Sequence, residues 1–248
     1  MCVVLLSCVT FAQNVVVVLK DGTEVRYAAA DIDSIRIEKI AAEEATAVPV
    51  EETGLHFFYD IYSMTAHVDG LINMEATEVK IPSKVSVDGK VYDVVGIAKQ
   101  AFYGCKNLVS VEIPNSVTEI ERSAFEGCTG LTSIKIPNSV TELGSYVFAD
   151  CKNLESVEIS NSITKIGVSA FHLCRSLKSV EIPKSVTTIG VSAFAFCTSL
   201  ESVTIPTSVT EIKKGAFDGC ENLKSVRVPK DCIVGEDAFF YYCEIEYY

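Results

Sequence analysis

Cysteine, phenylalanine and leucine each recur at a constant interval of 23 residues through most of the chain. The cysteines stand at Cys105, Cys128, Cys151, Cys174, Cys197, Cys220 and Cys243, and the phenylalanines at Phe102, Phe125, Phe148, Phe171, Phe194 and Phe217. A fixed period of this length is typical of a solenoid, because one unit cannot bury its apolar face alone and stacked units share a core. We therefore predict a β-rich solenoid of 23-residue repeats over residues 81–248.

Each repeat contains the same succession of short elements, as the third shows. Leu131, Ile134 and Ile136 alternate with polar residues, which predicts a strand with these side chains facing inward. Pro137 ends that strand, and a corner and a second short strand follow. Residues 146–151 are predicted to form one helical turn that places a phenylalanine and a cysteine, three residues apart, on the core.

The ten cysteines would ordinarily suggest disulfide bonds or a metal site. Seven of them occupy one slot of the repeat, so they should stack about 4.8 Å apart, the spacing of neighbouring strands. Relaxed disulfides need Cβ atoms about 3.5–4.5 Å apart. We therefore predict buried free thiols that donate weak hydrogen bonds to nearby carbonyls, and neither a metal site nor a cofactor.

Four shorter regions precede the solenoid. Residues 1–12 resemble a secretory signal peptide with a small-x-small cleavage motif, and we favour plain cleavage. One alternative is a bacterial lipoprotein signal, with a lipid attached to Cys8, and another is a buried strand over residues 3–6. No later stretch reaches 18 consecutive apolar residues, so no transmembrane helix is expected.

The remaining three regions are distinguished by pattern and composition. Residues 13–39 predict a small β element with a hairpin turn at Asp21 and Gly22 and a third strand over 35–37. Residues 40–53 have the composition of an acidic linker. Residues 54–80 alternate like a hairpin that would cap the first coil.

The last repeat departs from the pattern. Its spacing loses one residue before Phe239 and regains it before Cys243, and Cys232 takes a slot that valine occupies elsewhere. Four tyrosines near the end are expected to shield the final coil; they are Tyr241, Tyr242, Tyr247 and Tyr248. Alternatively, this end pairs with another chain, because an uncovered strand edge invites association.

The repeat resembles the BspA-like class of bacterial leucine-rich repeats. The segments IPNSVTEIERSAFEGCTGL (113–131) and IPKSVTTIGVSAFAFCTSL (182–200) carry the resemblance. It implies a secreted or cell-surface protein associated with the outer membrane of a Gram-negative bacterium. It also implies a role in adhesion, with a protein ligand such as the host matrix proteins fibronectin or fibrinogen.

The outward strand positions form the candidate binding face. They comprise a serine column (Ser110, Ser133, Ser156, Ser179, Ser202 and Ser225) and a charged column (Glu112, Lys135, Glu158, Glu181, Thr204 and Arg227). Small hydroxyls beside mixed charges would make a polar surface for an extended protein or a glycan. An alternative is that serine merely fits a crowded strand, with charges pairing between coils.

Catalysis and nucleic-acid binding are both disfavoured. The histidines, at positions 56, 67 and 172, accompany no nucleophile or phosphate-binding motif, and the acidic residues are not paired. A net charge of −12 opposes contact with phosphates. We thus predict a non-enzymatic binding protein, with a passive scaffold or spacer as the alternative and a glycan-binding or glycan-processing module as a weaker one.

Overall fold

The computed structural model describes residues 14–18, 24–28 and 47–248, and the chain divides into two compact units, Met1–Ala47 and Val48–Tyr248. In the first unit, β1 (Asn14–Val18) and β2 (Glu24–Ala28) pair antiparallel, with Asn14 opposite Ala28. The signal peptide with Cys8, the turn at 21–22, the third strand at 35–37 and residues 40–46 of the linker lie outside the described residues.

The second unit begins inside the region predicted to be a linker. β3 (Val48–Pro49) pairs parallel with β7 (Lys84–Val87), and α1 (Val50–Thr53) follows and ends at Gly54. The linker assignment is therefore wrong for residues 48–53. The reason lies in the two valines that flank Pro49. Val48 pairs with Val85 of β7, and Val50 packs against the core.

A mixed sheet lies at the N-terminal end of this unit. β4 (Leu55–Asp60) and β5 (Thr65–Leu71) form a hairpin, and β5 runs parallel to β8 (Lys90–Ile97). The β7–β8 hairpin turns through Asp88 and Gly89, both with positive φ, as a two-residue hairpin loop of this kind requires. The strand order is β3-β7-β8-β5-β4.

Two stacks of short parallel strands run along the solenoid. The front sheet comprises β6 (Glu78–Lys80), β9 (Ser110–Glu112), β11 (Ser133–Lys135), β12 (Ser156–Glu158), β14 (Ser179–Glu181), β16 (Ser202–Thr204), β18 (Ser225–Val228) and β20 (Glu244–Tyr247). The side sheet comprises the end of β8, β10 (Glu119–Ile120), β13 (Lys165–Ile166), β15 (Thr188–Ile189), β17 (Glu211–Ile212) and β19 (Ile233–Val234), with Leu143 bridging to Ile120. The predicted solenoid is confirmed.

The third side of each coil is a wall of turns that contains no helix in the described repeats. Ser123, Phe125 and Gly127 donate their N–H groups to carbonyls of the next coil, while the residues between them bond three positions back. Tyr146 and Asp150 have positive φ, as do their counterparts in other coils. The predicted helical turn over 146–151 is replaced by this wall, because alternate N–H groups bond to the neighbouring coil.

Stacked phenylalanines fill the core. The phenyl ladder consists of Phe102, Phe125, Phe148, Phe171, Phe194, Phe217 and Phe239, with successive ring centroids 4.9–5.4 Å apart and planes within 16° of parallel. The side chains of the ladder are buried. Coils approach so closely that a Cβ at Gly167 would lie 2.5 Å from the Leu143 carbonyl oxygen, so glycine is required there.

The thiol ladder lies beside the phenyl ladder and comprises Cys105, Cys128, Cys151, Cys174, Cys197 and Cys220. All six are buried and free. From Cys128 onward, each Sγ donates to the carbonyl oxygen of the phenylalanine in the preceding coil, at 3.0–3.2 Å. These contacts agree with the prediction of buried, weakly donating thiols.

Cys243 departs from this ladder, which corrects the prediction of seven equivalent buried thiols. Its Sγ donates at 3.9 Å to the carbonyl oxygen of Glu244, the next residue, instead of to a phenylalanine in the preceding coil. β20 begins one residue after Cys243, whereas β18 begins five residues after Cys220. The final coil is therefore shortened, and Cys243 is only half-buried. The 23-residue interval from Cys220 to Cys243 is preserved because the residue missing before Phe239 is regained before Cys243.

Candidate binding face

Strand alternation turns the serine and charged columns outward. In β11, Ile134 is buried while Ser133 and Lys135 are exposed. The front strands before β20 repeat this alternation, with the inward valine only half-buried in β12 and β16, whereas all four residues of β20 are exposed. All twelve residues predicted for the face lie on the front sheet, and all are exposed except the half-buried Ser110. Their placement on one surface follows from the parallel register, which sets Ser133 opposite Ser156 and Ser179 opposite Ser202.

Ion pairs join neighbouring coils along the charged column. Lys135 Nζ lies 2.7 Å from Glu158 Oε1, and Lys80 Nζ lies 3.2 Å from Glu112 Oε2. Both pairs are well exposed, so each contributes less than about 1 kcal/mol. Glu181 follows Glu158 in the column and forms no ion pair with any residue that the structure describes. The column therefore has uncompensated negative charge at its centre.

A groove of about 1180 Å³ lies over the first half of the front sheet. Of the predicted face, Ser110, Glu112, Lys135, Glu158 and Glu181 line it. The other predicted positions lie outside the groove; they are Ser133, Ser156, Ser179, Ser202, Thr204, Ser225 and Arg227.

Three asparagines border the same groove and were not among the predicted site residues. Asn115, Asn138 and Asn161 occupy the corners after β9, β11 and β12, one per coil, and all are exposed. Each amide offers both a donor and an acceptor to a ligand. The recurring Asn-Ser pairs are visible in the sequence. They indicate a turn at least as strongly as they indicate a binding site, so the sequence alone did not identify them.

The histidines lie apart from this groove. His172 on the turn wall meets Phe196 edge-on at 5.7 Å, and its partial burial lowers the pKa of the imidazole. His67 in the N-terminal sheet stacks on Phe58 at 4.6 Å, and its Nε2 lies 2.7 Å from Glu119 Oε1. The two rings therefore belong to different regions of the surface.

Burial opposes ionisation of the thiols in the ladder. Burial raises the pKa of Cys151 to about 12 and shifts those of Cys128 and Cys174 upward as well. A protonated thiol is a poor nucleophile and metal ligand. Within residues 47–248, no group of three or more acidic, cysteine or histidine side chains is arranged to hold a metal ion, and no helix could cross a bilayer.

Comparison with solved structures supports the architecture. A leucine-rich repeat protein from Bacteroides ovatus matches with 36% sequence identity and a TM-score of 0.73, over 78% of this chain and 51% of that one. The T. pallidum leucine-rich repeat protein matches with 31% identity and a TM-score of 0.64, over 77% of this chain and 82% of that one. The chain thus spans about half the length of the Bacteroides protein.

The family comparison covers the whole solenoid. Among curated proteins none matches the chain. The model of the BspA-type leucine-rich repeat region, which has six copies of the repeat, matches residues 73–199 and 146–248. Together these segments span more than two thirds of the sequence and every coil described above. The chain therefore belongs to the family of BspA-type leucine-rich repeat proteins.

Proposed function

We propose that this chain is an exported, non-enzymatic adhesion protein that binds an extended segment of a protein ligand along its front sheet. The groove over β6, β9, β11 and β12 carries this proposal, because it joins part of both predicted columns in one cleft. Export is supported by the signal-like residues 1–12 and by the family, and a mass measurement of the mature N-terminus tests it and the lipid at Cys8.

The shape of the groove favours an extended ligand. Its lining residues come from five successive front strands, from β6 to β14, so the groove runs across the strands. The asparagine corners supply donors and acceptors at intervals of one coil along the rim. A polypeptide running across the strands would meet one asparagine amide at each of three successive coils.

The charge of the groove favours basic groups on that ligand. Its charged lining residues are Glu78, Lys80, Glu112, Lys135, Glu158 and Glu181, which sum to −2. The two lysines already pair with Glu112 and Glu158, so Glu78 and Glu181 bear the excess charge. Complementary charge on a ligand would speed its association and fix its register.

A binding measurement on the full chain tests the proposal, with the matrix proteins fibronectin and fibrinogen as probes. The face variant combines Glu158→Lys, Glu181→Lys and Arg227→Glu. The matched control makes the same charge changes on the side sheet, through Glu142→Lys, Glu211→Lys and Lys165→Glu. We expect at least a tenfold weaker affinity for the face variant and an unchanged affinity for the control.

A passive scaffold or spacer is the second candidate, and the ion pairs between coils favour it. Much of the charge in the column is already paired within the protein, through Lys80–Glu112, Lys135–Glu158 and Arg227–Glu246. Equal binding of the face and control variants, or no binding of either probe to the parent chain, would support this second candidate. A glycan site is less favoured, since no aromatic side chain lines the groove that the described residues form.

A further inference from the structure

We propose that the outer edge of β20 is a docking site for an extended strand of a partner protein in which apolar and basic residues alternate. This site lies at the C-terminal end of the solenoid, away from the groove described above. It would bind by adding a strand to the front sheet.

The outer edge of β20 has free backbone groups. On its inner side, the Glu244 N–H donates to the Lys224 carbonyl at 2.8 Å, and the Tyr248 N–H donates to the Val228 carbonyl at 3.1 Å. Because the direction of these groups alternates along a strand, Ile245 and Tyr247 turn theirs to the outer side. No strand in the described part of the chain pairs with that side.

The inward slots of β20 are also left uncovered. Ile245 and Tyr247 are 37% and 50% exposed, whereas Val226 and Val228, which precede them in the stack, are 3% and 0% exposed. At the opposite end of the front sheet, Val79 on β6 is only 9% exposed. The inward side chain of the first strand is therefore covered, and the last strand presents apolar side chains that another strand could bury.

An exposed aromatic cluster precedes β20 in the chain, and Tyr248 anchors the strand's end. Phe240, Tyr241 and Tyr242 form a cluster with ring centroids 4.0–5.9 Å apart, and both tyrosines are well exposed. The Tyr248 hydroxyl donates to the Ile205 carbonyl at 2.9 Å, and the Arg227 guanidinium lies 4.8 Å from the centre of its ring. These contacts hold the end of β20 in place, so the edge is preformed.

Charge distinguishes between the candidate occupants. The outward side chains of β20 are Glu244 and Glu246, and in the described chain only Glu246 has an ion-pair partner, Arg227. A second copy added antiparallel about Ile245 would place Glu244 opposite the partner's Glu246, and like charges directly opposite destabilise a sheet. A strand with lysine or arginine at those positions would instead gain opposite-charge pairs.

The test uses a fluorescein-labelled, acetylated seven-residue peptide of alternating lysine and valine, and measures anisotropy with the full chain. Two control peptides replace lysine by glutamate or collect the same lysines and valines into two blocks. We expect the alternating lysine peptide to bind at least tenfold more tightly than either control. The double variant Glu244→Lys and Glu246→Lys should reverse the preference toward the glutamate peptide.

Ile245→Pro tests the strand-addition geometry, because it removes an outward N–H that the fold does not use. We expect it to weaken binding of the lysine peptide at least tenfold, with an unchanged circular dichroism spectrum. Glu158→Lys with Glu181→Lys, on the front-sheet groove, should leave this binding intact. If Ile245→Pro does not fold, the double lysine variant still decides the outcome.

Three results would overturn the proposal. The first is equal binding of the alternating lysine and glutamate peptides. The second is loss of peptide binding through the groove variant instead of the β20 variants. The third is a dimer in sedimentation velocity that Ile245→Pro converts to a monomer, since the edge would then bind a second copy.

Discussion

The Phe171 ring lies between those of Phe148 and Phe194, at 5.4 and 5.1 Å, and is fully buried. Hydrogen bonds between coils hold the backbone on both sides of the ring, with the Phe171 N–H bonded to the Ala193 carbonyl at 2.8 Å. The surrounding coils therefore have little freedom to collapse into a vacated space. A cavity at this position should be costly.

Phe171→Ala is expected to lower the free energy of unfolding by about 3–5 kcal/mol. Urea denaturation followed by circular dichroism measures the change. Phe196→Ala is the control, because this nearby ring is 45% exposed and its removal should cost less than about 1 kcal/mol. Similar losses in the two variants would refute the distinction between ladder and surface rings.

Residue-level burial could be predicted wherever the period holds. Phe194 and Phe196 are two positions apart, and only the 23-residue interval identifies Phe194 as the inward ring. The same rule failed at Cys243, because two compensating changes preserve the interval while the coil itself shortens. A count of residues does not report where the backbone turns.

At the scale of the element, the front strands follow from alternation, but the turn wall does not. A phenylalanine and a cysteine three positions apart fit a helical turn and also fit the observed wall. The choice depends on whether the Phe148 N–H bonds within its own segment or to Ala170 of the next coil, where the structure places it. That partner is distant in sequence, so local pattern does not reveal it.

The thiol ladder makes stability sensitive to alkaline pH. Unfolding exposes thiols that ionise near their ordinary pKa of 9.0, while burial keeps Cys174 protonated in the folded chain by raising its pKa. The unfolded state then binds fewer protons, so the free energy of unfolding is unaffected well below pH 9 and falls as pH rises above it. The loss approaches about 1.4 kcal/mol per pH unit for each buried thiol.

Above pH 9, Cys174→Ala should therefore make the fall of the unfolding free energy with pH less steep, by about the contribution of one buried thiol. Urea titrations between pH 7 and 10.5, in a reducing buffer, measure the slope. Leu177→Ala is the matched control, since it removes a buried side chain that does not titrate. It should lower stability at every pH and leave the slope unchanged. An unaltered slope in Cys174→Ala would show that this thiol ionises equally in both states.

At the scale of the whole solenoid, both outward columns could be predicted, but the groove could not. The columns can be predicted from the repeat and from strand alternation alone, whereas the groove also requires knowing that the asparagine corners line the same cleft as the strands. Among the described strands β20 pairs with β18 alone, which leaves its outer edge open. Binding at the groove or at the β20 edge would therefore depend on residues that differ from one coil to the next, and not on the repeated core.

The uneven ends of the solenoid predict a gradient of backbone stability. Each coil contacts mainly its neighbours, so a central coil is held on both sides and the last strand on one. The N–H of Phe148 bonds to the Ala170 carbonyl within the stack, while that of Glu244 bonds to Lys224 at the open end. Opening the end costs fewer contacts, and end amides should exchange more often through local unfolding.

Native-state hydrogen exchange by NMR measures this gradient. We expect protection factors at Glu244 and Tyr248 at least a hundredfold below those at Phe148 and Phe171. Adding the alternating lysine–valine peptide should raise the end values and leave the central ones unchanged, because it would pair only with β20. Equal protection along the whole stack would contradict the gradient, since it would mean that every coil opens only with global unfolding.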